Sequence, residues 1–284
     1  MGARLPNLLV VGAMKCGTSA LHELLDRHPQ VAMAPGKELN FFFGPDRPPH
    51  ADPTTWWRQG QWHRGPDWYA GQFDSRAPVA GESSPGYTDP SNPEVPARVR
   101  ALLPEARLVY LVREPLDRAV SQWRHHVRDG TERRPVERAL LDAESQYVAR
   151  SRYLERISPF LEHFDRDRLL VVVQERLRRD TDRELRRVLS HAGADPSLWR
   201  PVGSSPGMPS ARAELPRRLA AEFDERVADD LAELRELVGD HLAEWSVGAP
   251  VRTAARAGVP QGARHQRHVV DAQGRARPGG GGAP

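Results

Sequence analysis

With 284 residues, 39% of them hydrophobic, the chain is long enough to bury one sizeable core as a single domain. No apolar run approaches the roughly 18 residues that span a bilayer, and the run over 5–12 is followed by no cleavage-like site, so a soluble, cytoplasmic protein is expected; the one cysteine, Cys16, excludes an internal disulfide and says little of the compartment. The formal charge of +3 is unevenly spread: residues 251–284 hold six arginines and one aspartate, a balance of +5, leaving −2 for residues 1–250. The domain is therefore expected over 1–250. The Gly-, Ala- and Arg-rich remainder reads as a disordered, solvated extension, with contact to an anionic surface or nucleic acid as the alternative.

Taken in chain order, residues 7–11 read as a buried strand and 18–26 as a helix. Between them lies "GAMKCGTS": Gly12, Ala13, Met14, Lys15, Cys16, Gly17, Thr18 and Ser19. A strand that feeds a glycine turn and then a helix directs backbone N–H groups and the positive end of the helix dipole at one spot, which makes an anion cradle. The lysine precedes the second glycine, so this is not the G-x-x-x-x-G-K-[ST] loop of nucleotide triphosphatases. Only Lys15 and Lys37 are lysines among 41 basic residues. A position that keeps lysine against such an arginine bias needs a compact point charge rather than a planar fork. Cys16 is expected to pack the loop rather than to act as a nucleophile.

Next comes "PGKELNFFF", where Lys37 and Glu38 stand before Phe41–Phe43. This setting is expected to desolvate the carboxylate and suit it to accepting a proton, the alternative being a surface carboxylate beside buried rings. Residues 45–78, with Trp56, Trp57, Trp62, Trp68 and Tyr69 among prolines and glycines, read as an irregular insertion over one sheet edge that either plugs the local core or walls a ligand pocket. "GESSPGY" follows a short extended segment, and its Glu82, Ser83 and Ser84 either touch an acceptor or cap a turn. Residues 107–112 form a second strand, ending without the acid that would help hold magnesium, and 115–128 a second helix opened by proline. Arg113 leaves the carboxyl end of that strand, where open α/β sheets bind ligands, and Ser121 lies a little over two helical turns further on. A guanidinium and a hydroxyl so placed can clamp one phosphate. Two anion sites on neighbouring strand ends describe a nucleotide with phosphates at two positions.

Apolar spacing from Tyr147 through Tyr153, Ile157 and Leu161 predicts one long helix, followed by a strand over 169–173. Leu215, Leu219, Phe223, Val227, Leu231, Leu234 and Val238 line one face of a later helix, with Trp245 packing it back. The fold class is α/β: a parallel sheet covered by helices on both faces. His22, His28, His125 and His126 lack metal-ligand spacing and read as structural or solvated, so no metal site is expected.

The motifs "GAMKCGTSALHELLDRHPQV", "KELNFF", "GESSPGY" and "YLVREPLDRAVSQW", in this order, resemble the sulfotransferases that use 3'-phosphoadenosine 5'-phosphosulfate (PAPS). The likeness is to the branch holding the heparan sulfate N- and 3-O-sulfotransferases and bacterial relatives, and it runs from about residue 6 to 245. It implies a P-loop-like α/β domain in which Gly12–Ser19 bind the 5'-phosphosulfate and Lys15 contacts the transferring group. It further implies that Arg113 and Ser121 bind the 3'-phosphate, that Glu38 is the general base with Lys37 beside it, and that Glu82 lies near the acceptor. Ser83 stands where that family commonly has lysine, which weakens the case for an anionic glycan acceptor. The late basic segment of the family has no clean match, with Arg200 and Arg212 the candidates. The implied donor is PAPS, the implied product adenosine 3',5'-bisphosphate (PAP), and the implied acceptor a hydroxylated small molecule, glycolipid or carbohydrate, less readily an amine, with neither metal nor nucleic acid involved. The Arg-, Ala-, Gly- and Pro-rich composition fits a high-GC bacterial coding bias, and for a bacterial enzyme of this type the resemblance implies a carbohydrate, a lipid headgroup or a product of specialised metabolism as acceptor. A metal-dependent kinase and a non-catalytic binder of adenosine bisphosphate are the alternatives.

Overall fold

Three short apolar runs, LLVVG at Leu8–Gly12 (β1), RLVYLV at Arg107–Val112 (β4) and LLVVV at Leu169–Val173 (β5), are buried along almost their whole length, as strands covered on both faces must be. Two further strands, Val31–Met33 (β2) and Val79–Ser83 (β3), complete a five-stranded parallel sheet of order β2-β3-β1-β4-β5. The short extended segment expected before Glu82 is thus a paired strand that contains both Glu82 and Ser83. From β1 the chain runs outward to β2 and back to β3 on one side, then crosses to β4 on the other. The carboxyl ends of β1 and β4 consequently diverge into a crevice, the place where open α/β sheets hold ligands. This computed structural model describes residues 4–50, 52–73, 76–201, 215–243 and 245, all of which fall in one compact unit, Met1–Pro250. Among them no helix is long and apolar enough to cross a membrane. The expected extension over 251–284 lies outside the described residues.

Helices cover the sheet: Thr18–Asp26 (α1), Gly65–Ala70 (α2), Val95–Leu102 (α3), Pro115–Arg128 (α4), Val136–Leu141 (α5), Gln146–Ala149 (α6), Tyr153–Leu161 (α7), Gln174–Arg179 (α8), Thr181–Ala192 (α9) and Arg217–Val238 (α10). α10 buries Leu219, Phe223, Val227, Leu231, Leu234 and Val238, the single apolar stripe that its spacing demands. Its Asp230 carboxylate accepts from the Leu154 and Glu155 amides at 3.0 and 2.8 Å, capping the start of α7. Trp245 is buried with its ring centroid 6.1 Å from that of Tyr153.

The single helix expected from Tyr147 to Leu161 is two, α6 and α7. Fully buried Arg118 donates from Nη2 to the Tyr147 carbonyl at 2.7 Å, and Ser151 Oγ donates to the same oxygen at 2.8 Å. The Ser151 amide turns instead to the Val148 carbonyl at 2.8 Å. With its acceptor claimed by side chains, the i to i+4 ladder stops there.

Of Trp56, Trp57, Trp62, Trp68 and Tyr69 in the insertion, Tyr69 alone is buried, in a cluster with the rings that flank the insertion. Phe41 stacks on Tyr69 at 4.2 Å with an interplanar angle of 7°, and Phe42 meets Tyr69 and Tyr87 edge-on. Short 3-10 turns at Pro53–Arg58 and Trp62–Arg64 replace the expected irregular chain. Trp62 and Trp68 pack on the core from outside, while Trp57 remains exposed.

Candidate functional site

The loop after β1 is built by two glycines. A Cβ on Gly12 would collide with Thr88 Oγ1 and the Tyr110 ring, and Gly17 takes φ +91° as the N-cap of α1, a conformation that only glycine adopts without strain. The first helical bond is Leu21 N–H to Gly17 O at 3.1 Å. No side chain caps α1, and its first turn carries no acid, so its leading N–H groups and the positive end of its dipole face the crevice. Lys15 sits in this loop at φ +70°, a left-handed geometry that costs a non-glycine residue free energy and clusters at functional sites. Among the described residues no carboxylate pairs with its ammonium. Burial, and then the Arg128 charge, lower its pKa.

Arg113 leaves β4 with its main chain held by Tyr153, whose hydroxyl donates to the Arg113 carbonyl at 2.6 Å. The residue is only 5% exposed, and its guanidinium has no acidic partner among the described residues. It lines a cleft of about 400 Å³ together with Met14, Lys15, Gly17, Thr18, Ser19, Lys37, Glu38 and Ser121. Gln174 and His125 also line this cleft, and sequence reasoning missed both. Gln174 opens α8 at the carboxyl end of β5, the same strand-end logic that found Arg113. His125 lies one helical turn after Ser121, on the same face of α4.

Glu38 also has a left-handed φ, +62°, and its amide is anchored to the Ser83 carbonyl at 3.0 Å. Its carboxylate meets the Lys37 ammonium at 2.5 Å and is 37% exposed. The apolar setting expected for it is corrected: Phe41, Phe42 and Phe43 turn into the core, while Glu38 faces the open cleft on an ion pair. His125, read from sequence as structural or solvated, stands across the same opening with Nε2 3.2 Å from Asp129 Oδ2. Burial, and then the Lys15 charge, push its pKa down, and its Nδ1 accepts from Arg128 Nη2 at 2.6 Å.

Several expected site residues do not reach the cleft. Glu82 is completely buried and accepts from Tyr69 Oη at 2.5 Å, Tyr87 Oη at 2.6 Å and Ser84 Oγ at 2.8 Å. Burial raises its pKa while these three hydroxyls pull it back down. A carboxylate enclosed in this way supports the strand-end turn and touches no acceptor. Ser83 is likewise buried, its hydroxyl 3.1 Å from His22 Nδ1. Cys16 is buried, which pushes its thiol up to about 12, and Gly12 and Ala13 are not among the residues lining the cleft. Arg200 donates to the Ser197 carbonyl away from the cleft, and Arg212 lies outside the described residues. Among the described residues no cluster of His, Cys, Asp or Glu has the makings of a metal site.

A second cleft, of about 570 Å³, opens from the first and shares Met14, Glu38 and His125 with it. Asn40, Phe43, Trp57, Arg58, Asp89 and Asp129 also line it.

The sequence profile described as Sulfotransferase family matches residues 6–199. Similar curated proteins include the bifunctional heparan sulfate N-deacetylase/N-sulfotransferase 1 of Caenorhabditis elegans, 28% identical over 61% of this chain and 20% of its own length. Heparan sulfate glucosamine 3-O-sulfotransferase 3B1 of Mus musculus is 30% identical over 67% of this chain and 46% of its own. The chain thus spans less than half of these relatives. Among solved structures, a sulfotransferase from Alicyclobacillus acidocaldarius superposes with a TM-score of 0.69 at 28% identity, over 85% of this chain and 99% of that one.

Proposed function

The chain belongs to the Sulfotransferase family, and from that premise we propose that it moves a sulfonyl group from PAPS to an acceptor hydroxyl by direct in-line transfer. The observation that carries this reading is the convergence in one cleft of two anion subsites, Lys15 with the uncapped start of α1 and Arg113 with Ser121. Both cations lack acidic partners among the described residues, as groups reserved for an anionic ligand should. The cleft volume falls within the range of small-molecule sites.

When bound, the donor supplies an activated sulfur whose bond to a phosphate oxygen is the one broken. The loop N–H groups with Thr18 and Ser19 orient the 5' end, and the Lys15 ammonium balances charge as it grows on the departing oxygen. The Arg113 fork and the Ser121 hydroxyl hold the 3'-phosphate. Glu38, steadied by Lys37, takes the acceptor's proton while the new oxygen–sulfur bond forms, and the electron pair of the broken bond leaves with the phosphate. A soluble, cytoplasmic enzyme that needs no metal completes this reading.

Calorimetric titration with PAP and with adenosine 5'-monophosphate, each in excess EDTA, tests it on wild type and Arg113→Ala. A marked wild-type preference for the bisphosphate, largely erased in the variant, is expected. Equal weak binding of both ligands would overturn the reading.

A further inference from the structure

The two anion subsites hang from different strands. β1 and β4 stay paired as far as Gly12 and Tyr110, and the Ala13 amide still reaches the Leu111 carbonyl at 2.7 Å. Beyond Ala13, among the described residues, no backbone hydrogen bond joins the Lys15 loop to the turn at Arg113 and Glu114. The main chain alone does not hold loop and turn at a fixed spacing, yet one nucleotide must meet both.

A buried side chain spans that gap. Tyr153, the first residue of α7, is completely buried, and its ring lies edge-on to Tyr110 with centroids 6.2 Å apart. Its hydroxyl donates to the Arg113 carbonyl at 2.6 Å and accepts from the Arg113 amide at 3.4 Å. The same oxygen stands 3.7 Å from Cys16 Sγ, in the middle of the Lys15 loop. A hydroxyl has one hydrogen, and the short bond to Arg113 claims it, so the Cys16 thiol is the donor across the sulfur contact. Burial keeps both groups protonated, pushing the thiol up to about 12 and the phenol well above its ordinary range. Asp230 fixes the start of α7 from the far side, through the Leu154 and Glu155 amides. Neither Tyr153 nor Cys16 is among the residues lining the cleft, so each acts through the backbone it holds.

We infer that Tyr153 is a positioning residue that sets the spacing between the phosphosulfate subsite and the 3'-phosphate subsite, so that a nucleotide carrying both groups is bound as one object. This rests on the sulfotransferase reading above and deepens its donor site. Two linked groups bind far more tightly than either alone only where the geometry lets both engage at once. A ligand with a single phosphate makes no such demand, because its own loop settles around it.

The test is calorimetric titration of the full chain with PAP, adenosine 5'-monophosphate and adenosine 3'-monophosphate, on wild type, Tyr153→Phe, Cys16→Ala and the double variant. Tyr153→Phe keeps the buried ring and removes only the hydroxyl. It should lower the preference for PAP over adenosine 5'-monophosphate about tenfold, the effect of one hydrogen bond of ordinary strength. Affinity for each monophosphate should change by less than about threefold. Cys16→Ala should lower the same preference about threefold, as befits a weak thiol donor, and add nothing to Tyr153→Phe, since both break one chain of contacts. A wild-type preference for PAP that survives Tyr153→Phe would overturn the inference alone. So would an equal weakening of all three ligands, which marks general loss of structure, a loss for adenosine 3'-monophosphate as large as for PAP, which marks support of Arg113 only, or additive effects in the double variant. A wild type without any preference for PAP would instead remove the sulfotransferase reading, and the inference with it.

Discussion

The Glu82 cluster makes a quantitative prediction. Tyr69→Phe keeps the ring stacked on Phe41 and removes only a hydroxyl that donates to a buried carboxylate at 2.5 Å. A hydrogen bond to a charged group contributes about 2 kcal/mol. Tyr87→Phe removes an equivalent donor at 2.6 Å and also the acceptor of the Phe41 amide at 3.0 Å. That second loss strands a buried N–H, so its total cost is about 4 kcal/mol. For a body of this size each kcal/mol moves Tm by about 3 °C, giving decreases of about 6 °C and about 12 °C, read by circular dichroism at pH 8. The penalties depend on pH with a definite sign. Removing a donor raises the Glu82 pKa further above its unfolded value, so each penalty is full where the carboxylate is ionised and shrinks as acid protonates it. A Tyr69→Phe decrease within 1 °C of zero, a larger loss for Tyr69→Phe than for Tyr87→Phe, or penalties that grow in acid would refute the argument.

Glu114 is pushed up to about 7, chiefly by burial. A carboxyl whose folded pKa exceeds its unfolded value loses stability as pH rises between the two, here from about 4.5 to about 7 and by at most about 3 kcal/mol. Urea titrations should show Glu114→Gln losing less stability than wild type across that window, and parallel curves would contradict the assignment. Cys16, with its thiol at about 12, should resist iodoacetamide at pH 8 in the folded protein and react once unfolded, as followed by mass spectrometry. Lys15→Ala should lower kcat by about 100- to 1000-fold without changing Tm by more than a few degrees. Glu38→Gln should lower kcat by a factor of about 100 or more while calorimetry finds PAP binding intact.

Elements governed by local pattern were legible before the fold was known. The helix over 18–26, the strand over 107–112, the helix over 115–128 and the strand over 169–173 stand where periodicity and capping put them. What failed depended on partners distant in sequence. The break at Ser151 needs Arg118, thirty-three residues away. The enclosure of Glu82 needs Tyr69 and Tyr87, and from one sequence a glutamate after a short strand reads as well for a ligand contact as for a core group. Glu38 was placed in an apolar setting because three phenylalanines follow it closely, yet the left-handed turns at Glu38 and Asn40 send the rings inward and the carboxylate outward. His125 and Gln174 carry no motif of their own. Only the parallel order β1-β4-β5 brings α1, α4 and α8 to one opening.

The Asp230 cap has a consequence for the order in which the protein is made. A chain leaves the ribosome from its amino end, so the loop at Gly12–Ser19, Arg113 and Gln174 all emerge well before residue 230. A nascent chain arrested at residue 200 would already hold every described residue lining the cleft of Lys15 and Arg113. It would lack the carboxylate that ties down the first amides of α7, the helix whose Tyr153 grips the Arg113 carbonyl. Translation thus leaves the support beneath Arg113 unfinished until α10 arrives.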